Sequence, residues 1–271
     1  MHLQPPRPHV HLLVERSIAS PMRIVCGPQS VREALRAYGA RLGRVLVESP
    51  SSPKLALLAR FAEERGAAVE RCPRSELDRL SRGVRHQGVL AFAPELTVSP
   101  LDRSSPGPCP LVAALDELED PQNFGAIVRS AVAFGADAIM WPEHHSAPLS
   151  TAMFRASAGA VEHARLVRVP SLPRALEELS ADGLSVVGLD ANAVDSLDRL
   201  ELTGPLVVVV GAEGKGLRKP VKQACSRLAK LPLTGPVASL NASVALAIAL
   251  YEARRQRGFD GGDRNDSPLV P

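Results

Sequence analysis

Apolar and polar positions along this chain alternate between two rhythms. Short runs rich in Val, Leu and Ala, at residues 44–48, 67–71 and 88–93, predict strands, and MRIVC from Met22 adds another. Between them, 29–38, 53–65 and 75–82 carry apolar residues at helical spacing. Beyond residue 110 the same alternation resumes on a larger scale. Strands are predicted at 111–115, 138–141, 164–169, 185–189, 206–210 and 227–231. Helices are predicted from Phe124, near 149–157, over 173–181, near Val221 and, finally, from Ser239. Continuous apolar strands alternating with helices predict an α/β fold whose parallel sheet is covered on both faces.

The punctuation between these elements divides the chain. Residues 93–110, APELTVSPLDRSSPGPCP, hold five prolines and no periodicity. The expected organisation is therefore an extension at 1–21, a small α/β domain at 22–94 and a linker at 95–110. A larger α/β domain at 111–258 and a tail at 259–271 complete it. The extension lacks a long apolar segment and is broken by prolines, so it reads as disordered rather than as a secretory signal, and Met22 is a plausible start. The polar, Gly/Pro-containing tail reads as disordered too.

The final helix stands apart. ASVALAIAL at 242–250 is small or apolar on nearly every face, where a surface helix would show a polar stripe. Either a subunit interface or burial within one large domain would cover it.

Composition narrows the class. With 271 residues and 45% hydrophobic content the chain can bury a sizeable core. The apolar run at 206–210 is far shorter than the ~18 residues of a membrane span, so no membrane partner is expected. Cys26, Cys72, Cys109 and Cys225 are widely spaced without a CxxC pair, which fits a reduced cytoplasm and speaks against zinc and disulfides. No other metal site is expected: His86, His144 and His145 have no partner at metal spacing. Charge is uneven. Residues 23–93 hold 13 basic and 7 acidic side chains, a net of +6, nearly all arginine on the basic side. Residues 111–258 hold 15 basic and 16 acidic, a net of −1. Arginine forks suit phosphate recognition, although a solvated arginine-rich surface would look the same.

Three loops carry candidate chemistry. VVVVGAEGKGL at 207–217 follows a strand, but its Gly-rich turn is neither G-x-x-x-x-G-K-[ST] nor G-x-G-x-x-G. Glu213 within it lies at a strand's C-terminal end, where a functional carboxylate is plausible. In DPQNFGAIVRSA, at 120–131, Asn123 can cap the following helix and Arg129 lies more than one turn inside it. Arg129 reads either as a structural ion-pair partner or as a clamp on phosphate or on developing negative charge. In LPLTGPVASLNASVALA, at 231–247, Ser239 can cap the last helix, with Asn241 and Ser243 in its first turn, or the three can form a polar cluster facing the crevice of Arg129 and Glu213. No Ser/His/Asp or Cys/His order and no HExxH occurs.

Taken together, these blocks resemble the signature motifs of the SpoU (TrmH-type) ribose 2′-O-methyltransferases of the SPOUT superfamily. The matching patterns are N-x-G-x-x-x-R at Asn123, Gly125 and Arg129, G-x-E-G at Gly211, Glu213 and Gly214, and L-P-L-x-G-x-x-x-S-L-N-x-S-x-A from Leu231 to Ala245. Residues 153–163, MFRASAGAVEH, resemble a segment of the 23S rRNA guanosine-2′-O-methyltransferase branch. Residues 27–35 and HQGVLA at 86–91 resemble the ribosomal-protein-L30-like RNA-binding domain found at its N-terminus.

The resemblance implies a C-terminal parallel sheet tied in a deep trefoil knot, preceded by the small L30-like domain. It implies S-adenosylmethionine as methyl donor, held by Gly211, Ala212, Leu231, Gly235 and Leu240. It implies Arg129, Asn123, Glu213, Ser239 and Asn241 as catalytic residues, with Glu213, Ser239 and Asn241 orienting Arg129 and the ribose. It also implies an rRNA partner and a homodimer through the last helix. The same chemistry on tRNA or another rRNA site, and a catalytically silent RNA-binding relative, are the alternatives.

Overall fold

A computed structural model describes residues 22–102 and 109–259, so the expected extension at 1–21 and nearly all of the tail fall outside the described residues. The chain begins with β1 (Met22–Cys26), α1 (Pro28–Tyr38), β2 (Val45–Glu48), α2 (Pro53–Glu64), β3 (Val69–Cys72), α3 (Arg74–Ser81) and β4 (Val89–Pro94). These form a four-stranded sheet in the order β1-β4-β2-β3, in which β4 runs antiparallel to β1 and β2 and β2 runs parallel to β3. Prolines at the first turns of α1 and α2 fall where a missing N–H costs nothing.

The remaining elements are β5 (Val98–Ser99), β6 (Leu111–Asp116), α4 (Pro121–Ala133), β7 (Ala138–Pro142), α5 (Thr151–Ala156) and β8 (Leu166–Val169). Then come α6 (Leu172–Ala181), β9 (Ser185–Leu189), β10 (Asp195–Ser196), β11 (Leu206–Gly211), α7 (Lys219–Ala224), β12 (Arg227–Lys230) and α8 (Ala242–Arg257). Eight strands in the order β10-β12-β9-β11-β6-β7-β8-β5 pair throughout in parallel. The order is not sequential: after β12 the chain returns across the sheet, and α8 packs against β11 and α4. The expected parallel sheet, with a smaller α/β unit ahead of it, is thus the observed architecture.

The centre of the sheet shows why its strands are unbroken apolar runs. Alternate residues of a strand point to opposite faces. Val208 and Val210 of β11 enter a core shared with Phe124, Ile127 and Leu246 of α4 and α8, while Val207 and Val209 enter another with Leu176 and Val221 of α6 and α7. A polar residue on either face would therefore be buried.

Several boundaries differ from the sequence expectation, each for a local reason. Asp120 is the cap of α4, its carboxylate accepting from the amides of Gln122 (3.0 Å) and Asn123 (3.3 Å), so Asn123 sits inside the first turn instead of capping it. Likewise α8 starts at Ala242 with Asn241 as its cap, and Ser239 precedes the helix. The Pro-rich segment contributes β5, whose two residues extend the sheet edge beside β8. The last helix is buried in the chain on one face only, through Ala242, Leu246, Ala249, Leu250 and Ala253. Val244, Ile248 and Tyr251 are 46%, 41% and 46% exposed.

Candidate functional site

In an open parallel sheet, ligand sites form beyond the C-terminal ends of the strands. Here β6, β9, β11 and β12 end together in Asp116, Leu189, Gly211 and Lys230, and the loops that follow build one cavity. The turn after β11 folds back sharply, with the Gly216 amide donating to the Ala212 carbonyl at 2.9 Å. A Cβ on Gly211 would collide with the Gly216 backbone, so the glycine is what allows the return. Asp116, fully buried, anchors the far end: it accepts from the Arg218 amide at 2.8 Å and from Nε at 2.7 Å. A second Arg218 nitrogen reaches Glu117 at 3.0 Å.

Residues 231–241 close the other side as an irregular, mostly exposed segment that bends at 235–236 before α8 begins. Between the two loops lies a cavity of about 980 Å³. Of the ten residues singled out in the sequence, eight line it: Gly211, Ala212 and Glu213 on one wall, and Leu231, Gly235, Ser239, Leu240 and Asn241 on the other. Asp190, Asn192, Lys222 and Lys230 also line it and were not anticipated. Asp190 ends the apolar run VVGLD, a legible signal, but its partner Lys222 comes from α7, which only the fold brings near. Lys222 Nζ lies 2.5 Å from Asp190, and this contact holds the Asp190 carboxyl below the usual carboxylate range.

Asn241 organises the polar corner. Its Oδ1 accepts from the amides of Ser243 (2.8 Å) and Val244 (3.4 Å), closing the N-terminus of α8. Its Nδ2 then points the other way, donating to Asn123 Oδ1 at 2.9 Å and to the Glu213 carboxylate. Because only the amide oxygen can satisfy two backbone donors, this orientation is fixed by chemistry. Asn123 is buried behind the pocket wall. Its helix is held close to α5 by Gly125, where a Cβ would collide with the Met153 carbonyl. The glycine of N-x-G-x-x-x-R thus serves helix packing.

Arg129 does not join this corner within the chain. Six residues at about 100° each carry it roughly 240° around α4 from Asn123. It is exposed, lies outside the cavity and has no hydrogen bond or ion pair among the described residues, so the expected orientation of Arg129 by Glu213, Ser239 and Asn241 is not made in a single chain. Close by, a second groove of about 460 Å³ runs between α4 and α8, lined by Ala126, Ser130, Phe134, Val244, Ile248 and Tyr251. Among the described residues no group of three or more His, Cys, Asp or Glu is arranged to hold a metal ion, and no helix is long and apolar enough to cross a membrane.

Comparison with known proteins bears on this geometry. Residues 110–251 match the SpoU rRNA Methylase family, and residues 24–98 match the RNA 2′-O ribose methyltransferase substrate-binding family. The chain is 37% identical over 238 residues to a putative TrmH family tRNA/rRNA methyltransferase, YacO, of Bacillus subtilis, covering 86% of this chain and 95% of that one. The structure is similar to that of an AdoMet-bound rRNA methyltransferase from Sinorhizobium meliloti, with a TM-score of 0.69 and 26% identity over 86% of this chain and 87% of the other. A TrmH/SpoU tRNA modifying enzyme of A. aeolicus is 28% identical with a TM-score of 0.50, but over only 54% of this chain and 75% of its own.

Proposed function

The chain belongs to the SpoU rRNA Methylase family, and on that premise we propose that it transfers a methyl group from S-adenosylmethionine to a ribose 2′-oxygen of 23S rRNA, at a guanosine. Its fold is the SPOUT methyltransferase architecture, with a substrate-binding unit ahead of it. The observation that carries this reading is the corner where Asn241 joins α8, Asn123 and Glu213 at the rim of a cavity lined by the family's loops. The ribosomal target is favoured by coverage: the likeness to the rRNA methyltransferase spans both units, whereas that to the tRNA-modifying enzyme spans 54% of the chain.

The cavity suits the cofactor. It has the size of a pocket for a ligand of a few hundred daltons. Leu233, Val237 and Leu240 expose apolar surface along its rim for a purine, and Glu213 places a carboxylate among the lining residues. Gly211, Ala212, Leu231, Gly235 and Leu240 would hold it. When bound, S-adenosylmethionine supplies a methyl group already activated on a sulfonium.

The protein must then orient one hydroxyl and manage one proton. Asn241 and Ser239 orient the ribose, Glu213 accepts hydrogen bonds at the same corner, and Asn123 holds the corner together. Arg129 is unsuited to act as a base, since a guanidinium supplies only hydrogen-bond donors. Its role is to grip the target phosphate and stabilise negative charge developing on the 2′-oxygen.

The exposed groove between α4 and α8 supports a homodimer, with a second copy as its occupant. Ser243 and Val244, which line it, donate their amides to Asn241 of the site, and Arg129 projects from the α4 segment bearing Ala126 and Ser130. A second copy seated there would bring Arg129 beside its partner's pocket. In this reading residues 22–94 grip RNA, 95–110 join the units and 111–258 transfer the methyl group in a reduced, cytoplasmic setting.

Mapping ribose methylation in rRNA and tRNA from a strain lacking the gene tests the target. One 23S guanosine losing its methyl group is the expected result; loss at a tRNA position moves the target, and no loss in either overturns the reading. Calorimetry with S-adenosylmethionine against NAD and GTP tests the donor.

A further inference from the structure

The segment MFRASAGAVEH at 153–163 contributes nothing to the cavity, yet it meets both units of the chain. On one side α5 packs on α4, the helix of Asn123 and Arg129. On the other side, the turn of Ala160–His163 packs on α1.

The contact is built from buried charge. Arg23 on β1 donates from Nε to the Pro94 carbonyl at 3.0 Å and pairs through Nη2 with the Glu162 carboxylate. The two side chains are 9% and 2% exposed. The Arg23 guanidinium also lies 5.6 Å from the centre of the Phe154 ring. Next to this pair, Glu33 on α1 accepts from His163 Nε2 at 3.0 Å and from Arg36 at 2.9 Å. Gly159 has φ +88, and a Cβ there would come within 2.8 Å of the Ser30 and Glu33 carbons, so α1 lies flush on this turn. A second attachment lies along the sheet edge, where β5 pairs with β8 directly after the unit ends.

Burying an ion pair is a poor way to gain stability, because desolvation offsets the attraction. It can specify one docked arrangement, because a different docking would leave a buried charge unpaired. We propose that the Arg23–Glu162 contact, flanked by Glu33–His163, is a positioning joint that fixes the RNA-gripping unit against the catalytic unit. The inference rests on the function proposed above. Its consequence is that the enzyme reads a folded RNA by the constant span between its arginine-rich surface and its cavity. A free tether would have to be ordered each time RNA bound, and a preset joint avoids that entropy loss.

Arg23 and Glu162 act through other groups, so the loss should appear in RNA affinity and not in the chemical step. The test uses the full chain, S-adenosylmethionine and ribosomal RNA purified from a strain lacking the gene, intact or hydrolysed to short fragments. Glu162→Gln should raise KM for intact RNA by about tenfold or more while kcat stays within about twofold. Cofactor affinity and activity on fragments should not change. Small-angle scattering of the free enzyme should show a broader distance distribution. The double exchange Arg23→Glu with Glu162→Arg should recover both KM and the scattering profile.

If Glu162→Gln fails to fold, Glu33→Gln, at the more exposed edge, should give a smaller change in the same direction. Unchanged scattering and KM, or a fall in kcat alone, would overturn the joint. A wild-type enzyme inactive on every RNA would count against the proposed function, and scattering would still decide the joint.

Discussion

Asn241 donates to the carboxamide oxygen of Asn123 at 2.9 Å, joining the N-terminal cap of α8 to the first turn of α4 across 118 positions of sequence. The same side chain caps its own helix, so one residue carries two separable tasks.

Those tasks can be pulled apart. Asn241→Asp keeps an oxygen for the amides of Ser243 and Val244, and Asp caps as well as Asn. It cannot donate to Asn123 or Glu213. The new carboxylate keeps the cap but faces that of Glu213, so stability should fall by charge repulsion, more at low salt than at high, while methyl transfer falls by about 10²-fold or more. Asn241→Ala should lose the same activity and about 1 kcal/mol of stability with the cap, without that salt dependence. An Asp variant with full turnover in a methyl-incorporation assay would show that the donated bonds are dispensable.

Arg129 gives a complementary case. It has no structural partner among the described residues, so Arg129→Ala should change stability by no more than about 0.5 kcal/mol. Calorimetry should find cofactor binding intact. Turnover should drop by about 10²-fold or more if the guanidinium stabilises developing charge. Normal turnover would remove Arg129 from the catalytic set.

Much of the fold was legible because its main strands are buried on both faces and so read as unbroken apolar runs. LVVVV at 206–210 is the clearest of these. The two-residue strands β5 and β10 carry no such signal, since they are defined by the neighbour they pair with. Helix starts are ambiguous in sequence where two capping residues compete: Asp120 precedes Pro121, and its carboxylate takes the free amides of Gln122 and Asn123. The cavity's two loops were visible as Gly- and Asn-rich segments, but Lys222 reaches Asp190 only through tertiary packing. The position of Arg129 follows from helix phase relative to neighbours absent from any sequence window. The buried Arg23–Glu162 pair spans 139 positions and is equally invisible from either end.

RNA affinity should be strongly salt-dependent. The unit at 23–93 carries a net charge of +6, and its exposed Arg82 and Arg85 have no ion-pair partner among the described residues. Taking away one arginine that grips a phosphate should make the slope of log affinity against log salt shallower by about 0.7–0.9. Filter binding with Arg82→Ala and Arg85→Ala across a salt series measures this. An affinity independent of salt would exclude phosphate recognition as the source of binding.

The exposed apolar ridge of α8 predicts oligomeric state. Val244, Ile248 and Tyr251 lie on one side of the helix and face the groove with Phe134. Ile248→Asp would bury a carboxylate in any interface formed there, which is costly without a partner. Analytical ultracentrifugation should find wild type as a dimer and this variant as a monomer, with cofactor binding retained. A variant that stays dimeric would move the interface elsewhere.

The cysteines give a prediction about pH. Burial pushes the Cys26 thiol up to about 11 and the Cys225 thiol up to about 12, with Asp116 adding to the second. The thiolate is the reactive form, so at pH 8 only about one Cys225 in 10⁴ is poised to react. Cys109 is exposed. Iodoacetamide on the native protein at pH 8, followed by peptide mass spectrometry, should label Cys109 first, and Cys26 and Cys225 only after unfolding. The same shifts carry a stability term. A thiol protonated more tightly in the folded state stabilises it below the unfolded value, 9.0, and that contribution fades as pH rises through 9 towards the folded values. Denaturant unfolding at pH 8 and at pH 10 should therefore show lower stability at the higher pH, and Cys225→Ala should reduce the difference. Labelling of Cys225 as fast as Cys109 in the folded protein would contradict the buried, protonated thiol.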